Sequence, residues 1–317
     1  MNKIITGDAF IELTKLESQS VDVCITSPPY FGLRDYGDEK QIGQEETVTQ
    51  YIDRLTLVFS QVKRVLKDTG TLWIVIGDSY AGSGKGRNAN GTINNSNLNC
   101  KQYTNRGSVS GKITNTKSNG KQCKPKDLIG VPWMLAFKLK ETGWYLRQEI
   151  IWEKPNAMPE NVKDRCTRCH ETIFMFSKNK QYFYNSKENM EPAVNGDPSS
   201  PRGSKGTLRP NKGMREKTEK PSHKIEMRNR RSVWRCSVKP YKGAHFATFP
   251  LELIVPIIKI AAPENGIVLD CFSGSGTVGV ACQECDRSFI GIDINEKYSM
   301  MAKERIKEAK EKHGANA

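Results

Sequence analysis

The sequence predicts an α/β protein built on a doubly wound, mostly parallel sheet. Two observations carry that expectation. Short β-rich runs alternate with helical patterns along most of the chain. Near the C-terminus an apolar strand runs straight into a Gly-rich turn and a helix, the arrangement that forms ligand crevices in open parallel sheets. In chain order, the strand candidates Lys3–Thr6 and Val21–Thr26 are rich in β-branched residues, and the second stops at the Pro28-Pro29 pair. An amphipathic helix follows over Thr49–Leu66, then a strand over Thr71–Gly77 and a helix over Trp133–Thr142. Two strands, Tyr145–Trp152 and Thr172–Ser177, come next. The C-terminal part reads as helix Pro250–Ala261, strand Ile267–Cys271, strand Ser288–Asp293 and helix Glu296–Lys312. No internal repeat is visible.

Composition narrows the function classes. The 317 residues carry 49 Lys+Arg against 35 Asp+Glu, a formal charge of +14, which favours a polyanionic partner, nucleic acid above all. No uncharged apolar run reaches the ~18 residues that span a bilayer. The N-terminus, MNKIITGDAF, lacks the apolar region of a signal peptide. Membrane spanning and secretion are therefore not expected, and the nine cysteines read as reduced thiols of a cytoplasmic protein. The positive charge is concentrated. Residues 81–126 hold nine basic and no acidic residues, and residues 195–245 hold 14 basic and four acidic, which leaves the rest of the chain net acidic. Both segments are rich in Gly, Asn, Ser or Pro, and read as long loops or inserts suited to phosphate contact.

The turn IVLDCFSGSGTVG (267–279) is the first candidate site. Gly274 and Gly276 admit a ligand close to the backbone, and the next strand ends in Asp293, 19 residues after Gly274, where a carboxylate accepts from ribose hydroxyls. Gly274, Gly276 and Gly279 also fit a dinucleotide fingerprint, so an NAD-dependent oxidoreductase is an alternative. Asp270 argues against it: a carboxylate before the glycines faces a pyrophosphate badly but suits the ammonium of an amino-acid moiety. Only one further strand and helix follow the turn, so the remaining strands come from upstream. The natural neighbour of the last strand is the N-terminal one, ending at Asp8, placed to reach an adenine amino group. The chain thus reads as circularly permuted.

The second candidate is Thr26-Ser-Pro-Pro-Tyr-Phe31, at the end of strand VDVCI. Two prolines stiffen the backbone and remove two N–H donors, leaving carbonyls that only accept. Ser27 adds a hydroxyl and Tyr30 an aromatic face. Such a pocket suits an exocyclic NH2 on a flat ring, which donates to the Pro28 carbonyl and the Ser27 oxygen while the ring stacks on Tyr30.

TSPPY resembles the catalytic motif of DNA amino-methyltransferases, which modify N4 of cytosine or N6 of adenine. The order, with TSPPY first and DCFSGSG last, resembles the beta group of that family. GTLWIVIGDS (70–79), WYLRQEIIWEKPN (144–156) and HFATFP (245–250) resemble further family segments. The resemblance implies a circularly permuted, seven-stranded, Rossmann-like methyltransferase sheet, with S-adenosyl-L-methionine as cofactor and double-stranded DNA as substrate. It implies catalytic roles for Ser27, Pro28, Pro29 and Tyr30. It implies cofactor contacts from Asp8, Thr26, Asp270, Phe272, Gly274, Gly276, Thr277 and Asp293, with His245, Ala247 and Phe249 at the methionine end. A base within a duplex is out of reach, so it is flipped out, at a cost of a few kcal/mol. Ser27 points to N4 of cytosine, since Asp is usual at that position in N6-adenine enzymes; N6-adenine is the alternative. Methylation at cytosine C5 uses a Pro-Cys nucleophile, and no Pro here precedes a Cys.

The implied organisation is a catalytic core over 1–177 and 245–317, a basic Gly/Asn-rich insert at 81–127 and a target-recognition region at 178–244. Arg228, Arg230, Arg231 and Arg235, interleaved with Trp234, suit phosphate contact and groove insertion. The length leaves little room for a nuclease domain, so a restriction endonuclease partner would be a separate chain. Cys166 and Cys169 form a CxxC step next to His170, but a zinc site needs more ligands than these, and no metal is expected.

Overall fold

The computed structural model describes residues 2–33, 38, 40–81, 123–124, 126–193, 227–238 and 249–316. The expected sheet is present with one more strand than expected. In chain order the strands are β1 (Asn2–Thr6), β2 (Val21–Thr26), β3 (Leu66–Ile76), β4 (Tyr145–Glu153), β5 (His170–Ser177), β6 (Met190–Pro192), β7 (Met227–Asn229), β8 (Val233–Arg235), β9 (Ile267–Asp270) and β10 (Ser288–Asp293). The main sheet runs β1-β10-β9-β2-β3-β5-β4-β8, and β6 and β7 form a separate antiparallel pair. Every pairing in the main sheet is parallel except those of β5, which runs antiparallel to β3 and β4. The N-terminal strand lies beside the last strand, from Asn2 opposite Phe289 to Thr6 opposite Asp293, as the permuted order requires.

Successive side chains of a strand face opposite sides of the sheet, and both sides are covered. Leu72, Ile74 and Ile76 of β3 pack on one side with α1 (Ala9–Thr14), α2 (Val48–Val65) and α3 (Val131–Glu141). Trp73 and Val75 pack on the other with α4 (Leu251–Ala261), α5 (Thr277–Glu284) and α6 (Glu296–Asn316). This is the doubly wound architecture. From β9 the chain continues to β10, whose other neighbour is β1, while β2 leads away to β3. The crevice between the carboxyl ends of β9 and β2 is therefore a topological switch point. Two helix starts are capped, one by local side chains and one by a remote one. Thr47 and Gln50 form a reciprocal capping box at α2, and at α3 Asp78 accepts from the backbone N–H groups of Gly130 and Val131 at 3.1 Å.

Of the basic insert 81–127, the described residues are its two ends. They are joined: Ala81 N–H donates to Asp127 O at 2.8 Å, Lys126 N–H to Ala81 O at 2.8 Å, and Ile129 N–H to Ser79 O at 3.0 Å. Much of the region 178–244 also lies outside the described residues. Its described parts are knitted into the body. Phe183 N–H donates to Thr69 O, Asn185 N–H to Ile260 O, and β8 joins the main sheet against β4. Trp234 on β8 is 8% exposed and packs with Trp152, so it is a core residue and not a groove wedge. Sequence reading missed β6, β7 and β8 because three residues carry no resolvable period. Among the described residues no helix is long and apolar enough to cross a membrane.

Candidate active site

The glycine turn is built around two carboxylates, one buried (Asp270) and one half-buried (Asp293). Asp270 ends β9 and is 1% exposed; its Oδ1 accepts from Thr26 Oγ1 at 2.6 Å, across from β2, and from Phe272 N–H at 3.1 Å. Burial pushes the Asp270 carboxyl up to about 7, with Asp293 adding to the rise and the Thr26 and Phe272 bonds opposing it. Asp293 ends β10. Its Oδ2 accepts from Gly274 N–H at 2.7 Å and its Oδ1 from Asn295 N–H at 2.8 Å, and burial raises its carboxyl as well. Gly274 has φ +49°, and a Cβ there would meet nothing within 4 Å, so the turn offers its backbone to open space. Gly276 differs: at φ +79° its Cβ would lie 2.7 Å from Ala302 Cβ on α6.

The Pro-rich loop is held from behind. Tyr51 on α2 donates its hydroxyl to the Pro29 carbonyl at 2.8 Å. Tyr30 packs its ring on Gly77, where a Cβ would come within 2.6 Å of ring atom Cε2, and donates its hydroxyl to Glu171 Oε2 at 2.7 Å. Glu171 Oε1 is paired with Lys154 Nζ, which sits 4.3 Å from the Trp152 ring centroid. Burial lifts the Tyr30 phenol well above its ordinary range; Glu171 adds to the rise, and the Ser27 hydroxyl, hydrogen-bonding the phenol, opposes it. Pro28 is buried, and among the described residues no donor reaches its carbonyl.

These two constructions share one cleft. An open cleft of about 610 Å³ is lined by Ser27 and Pro29 from the loop, by Phe272 and Gly274 from the turn, and by Asp8 and Asp293 from neighbouring strand ends. Its remaining wall includes Lys40, Gln41 and Ile42, a segment fixed from α2 because Arg54 donates to the Lys40 and Gln41 carbonyls and pairs with Glu45 at 2.9 Å. An acceptor-rich loop and a carboxylate-lined turn, about 245 residues apart in sequence, therefore open into the same space, where a flat amine and a cationic amino-acid-bearing ligand would meet.

Known proteins agree. A family model described as a DNA methylase of the N6/N4 class matches residues 21–304. The chain belongs to this family of DNA amino-methyltransferases. Curated relatives include the type II methyltransferase M.SmaI of Serratia marcescens, 44% identical over 304 residues covering 96% of this chain and 90% of the relative. M.XycI of Xanthomonas campestris pv. cyanopsidis is 43% identical, with coverage of 96% and 87%. Among solved structures, the PvuII cytosine-N4-specific DNA methyltransferase aligns over 98% of this chain and 91% of its own, with TM-score 0.60 at 16% identity. A Thermus thermophilus protein, TTHA0409, solved in complex with S-adenosyl-L-methionine, aligns with TM-score 0.57 at 21% identity over 98% and 96%.

Against this methyltransferase frame, the sequence-derived residues divide. Ser27, Pro29, Asp8, Phe272, Gly274 and Asp293 line the cleft. Thr26 and Asp270 stand behind it as a buried hydrogen-bonded pair. Asp8 also caps α1, accepting from Ile11 N–H at 3.0 Å. Gly276 serves packing against α6 rather than ligand approach, and Thr277 turns to the same helix, its hydroxyl 3.4 Å from Arg305 Nη1. Phe249 packs with the hydrophobic cluster under α4, while His245 and Ala247 lie outside the described residues. Arg228 is an ion-pair partner of Glu191 at 2.9 Å with its side chain 11% exposed, which fits structure better than phosphate contact. Arg230 lies over the Trp234 ring at 5.0 Å, Arg231 is exposed, and the Arg235 side chain is 72% exposed beside Glu153. Cys166 and Cys169 are exposed, and among the described residues no three His, Cys, Asp or Glu side chains cluster as metal ligands. Sequence reasoning missed Gly77, Tyr51, Glu171 and the role of Lys154. Gly77 and Lys154 lie within the strings GTLWIVIGDS and WYLRQEIIWEKPN, whereas Glu171 reaches the site because β5 runs antiparallel.

Proposed function

We propose that this DNA methyltransferase transfers a methyl group to the exocyclic amine of a flipped base, N4 of cytosine. The observation that carries the reading is the single cleft shared by the Pro-rich loop and the glycine turn. The cofactor is S-adenosyl-L-methionine, which when bound supplies an electrophilic methyl group on a sulfonium. The residues present fit it. Gly274 leaves room at the backbone, Asp293 retains acceptor capacity for ribose hydroxyls beyond its two backbone bonds, and Asp270 is a buried carboxylate suited to a nearby ammonium. The same Asp270 disfavours NAD, whose pyrophosphate would meet it unfavourably.

The loop acts on the base. Ser27 and the Pro28 carbonyl accept the two amine hydrogens, drawing the nitrogen toward sp3 character and freeing its lone pair. Tyr30 replaces the stacking lost on extrusion. Positioning and electrostatics carry the rate, with no covalent base adduct. Double-stranded DNA is held by the basic segments 81–126 and 195–245, with Arg230, Arg231 and Arg235 as phosphate contacts. The type II relatives favour a separate restriction endonuclease as functional partner and a cytoplasmic setting. Serine at position 27 favours cytosine over adenine. Methylating duplex DNA with the protein, digesting to nucleosides and resolving the products by mass is expected to give N4-methylcytosine; N6-methyladenine would overturn the base assignment.

A further inference from the structure

A base drawn out of a duplex leaves a gap in the stack, and an apolar side chain of similar size can hold the neighbouring pairs apart. The loop 154–169, which joins β4 to β5, presents such a side chain. Met158 is 77% exposed, more than any other large hydrophobic residue among the described residues. A lone exposed methionine is ordinary on a protein surface. This one is set apart by its place and by its backbone. The loop begins and ends against the Tyr30 pocket. Lys154 is ion-paired with Glu171, whose other oxygen accepts from the Tyr30 hydroxyl at 2.7 Å. Lys154 N–H donates to Cys169 O at 2.7 Å and closes the neck of the loop. The second half of the loop rests on the residues after β3. Arg165 lies 3.9 Å from the Tyr80 ring centroid, and Arg168 Nη1 lies 3.9 Å from Asp78 Oδ2, next to the Gly77 seat of the Tyr30 ring. The backbone around Met158 is held. Ala157 N–H donates to Lys154 O at 3.1 Å, and Pro159 fixes φ on the other side. Asn156 makes a reciprocal pair with Val238, donating from Nδ2 at 2.8 Å and accepting at Oδ1 at 2.9 Å.

We propose that Met158 is the wedge that enters the duplex where the target base leaves it, filling the stack beside the orphaned partner base while Tyr30 receives the extruded one. The proposal rests on the reading that the base is flipped. A thioether chain suits the task. It is unbranched and polarizable, so it spreads over flat faces, and it brings no strong donor or acceptor that would need a partner inside the stack. The loop around it suits phosphates: Lys154, Lys163, Arg165 and Arg168 outnumber Glu160 and Asp164. Since Lys154 also holds Glu171 and through it Tyr30, one short loop fixes the wedge relative to the pocket that takes the base.

The test compares Met158→Ala and Met158→Leu with the wild-type protein in single-turnover methyl transfer at saturating S-adenosyl-L-methionine. Two duplexes are used, one with the target base paired and one with it mispaired, so that much of the unstacking is already done. Thermal melting and cofactor affinity are read alongside. Met158→Ala is expected to slow transfer to the paired target by roughly tenfold or more, and to the mispaired target by no more than about twofold relative to wild type. Met158→Leu keeps an apolar wedge and should stay within about threefold of wild type on both. A wild-type rate for Met158→Ala on the paired duplex, equal slowing on the two duplexes, or a leucine variant as slow as the alanine one would each overturn the wedge. A duplex with 2-aminopurine at the target position separates the two levels, because the analogue brightens when it leaves the stack. If the wild-type protein leaves it dark, the flipping reading fails and the wedge with it. If wild type and Met158→Ala brighten it equally, the wedge alone fails.

Discussion

The two walls of the cleft are made in different ways. The glycine-turn wall is local: Asp270, Phe272 and Gly274 lie within five residues, and the partners of that segment, Thr26 and Asp293, sit on the strands flanking it. The Pro-rich wall is assembled from afar. Tyr51 comes from α2, Gly77 and Lys154 from the residues just past β3 and β4, and Glu171 from β5; Tyr51, Gly77 and Glu171 touch the loop, and Lys154 holds Glu171. A wall made from backbone and strand ends tolerates little change in its own residues. A wall made from remote side chains is vulnerable at positions that no local motif marks.

The largest expected effect probes the turn. Asp270→Ala removes the buried carboxylate, and S-adenosyl-L-methionine binding should weaken by ~2–5 kcal/mol, the range for truncating one partner of a buried charge pair; calorimetric titration reads this directly. The pH dependence carries a sign. The folded-state value of about 7 lies above the ordinary carboxylate value, so Asp270 disfavours the folded free protein progressively as pH rises from about 4 through 7. A ligand cation binds the deprotonated form. Cofactor affinity should therefore rise between pH 6 and 8, with proton release on binding that disappears in Asp270→Ala. Next comes the loop: Tyr30→Ala should weaken the flipped-base complex by ~1–3 kcal/mol, measured as lost discrimination between a DNA with an intact target and one without it, while cofactor affinity holds.

The third expectation splits the glycines. In Gly279→Ala the new methyl group would fall 2.3 Å from Ile306 Cδ1 and 2.7 Å from the Phe289 ring, and melting should report a loss of ~1–3 kcal/mol. Gly274→Ala meets only open space and the left-handed backbone penalty of ~1 kcal/mol, but it fills the cofactor's approach, so binding should suffer more than stability. Equal effects of the two on stability would blur the distinction drawn between packing and approach. The smallest effect is outside the cleft: Arg235→Ala should weaken DNA binding evenly across sequences and reduce the salt-dependence slope by about one.

The seven strands of the core were legible because each is a compact apolar run bounded by turn residues, and the permuted order was legible because TSPPY precedes the glycine turn. Both motifs were legible because their chemistry is written in adjacent residues. The supports were not. Glu171 stands between the CxxC–His170 step and the strand Thr172–Ser177, neither of which pointed to it, and only the antiparallel course of β5 carries it to the carboxyl edge beside Tyr30. Gly276 and Gly274 look alike in sequence, and the difference lies in Ala302 on α6, which the turn meets only in three dimensions. Arg228 reads as a phosphate contact until Glu191 is seen across the β6–β7 pair.

The central claim is that one cleft brings an amine-accepting loop to the cofactor turn. It is tested most directly by a structure of the protein with S-adenosyl-L-methionine and a duplex carrying its target. The expected result is an extruded base whose exocyclic nitrogen lies within hydrogen-bond reach of Ser27 and the Pro28 carbonyl while the cofactor occupies the space before Gly274. A cofactor bound elsewhere, or a base amine directed away from Ser27, would contradict it.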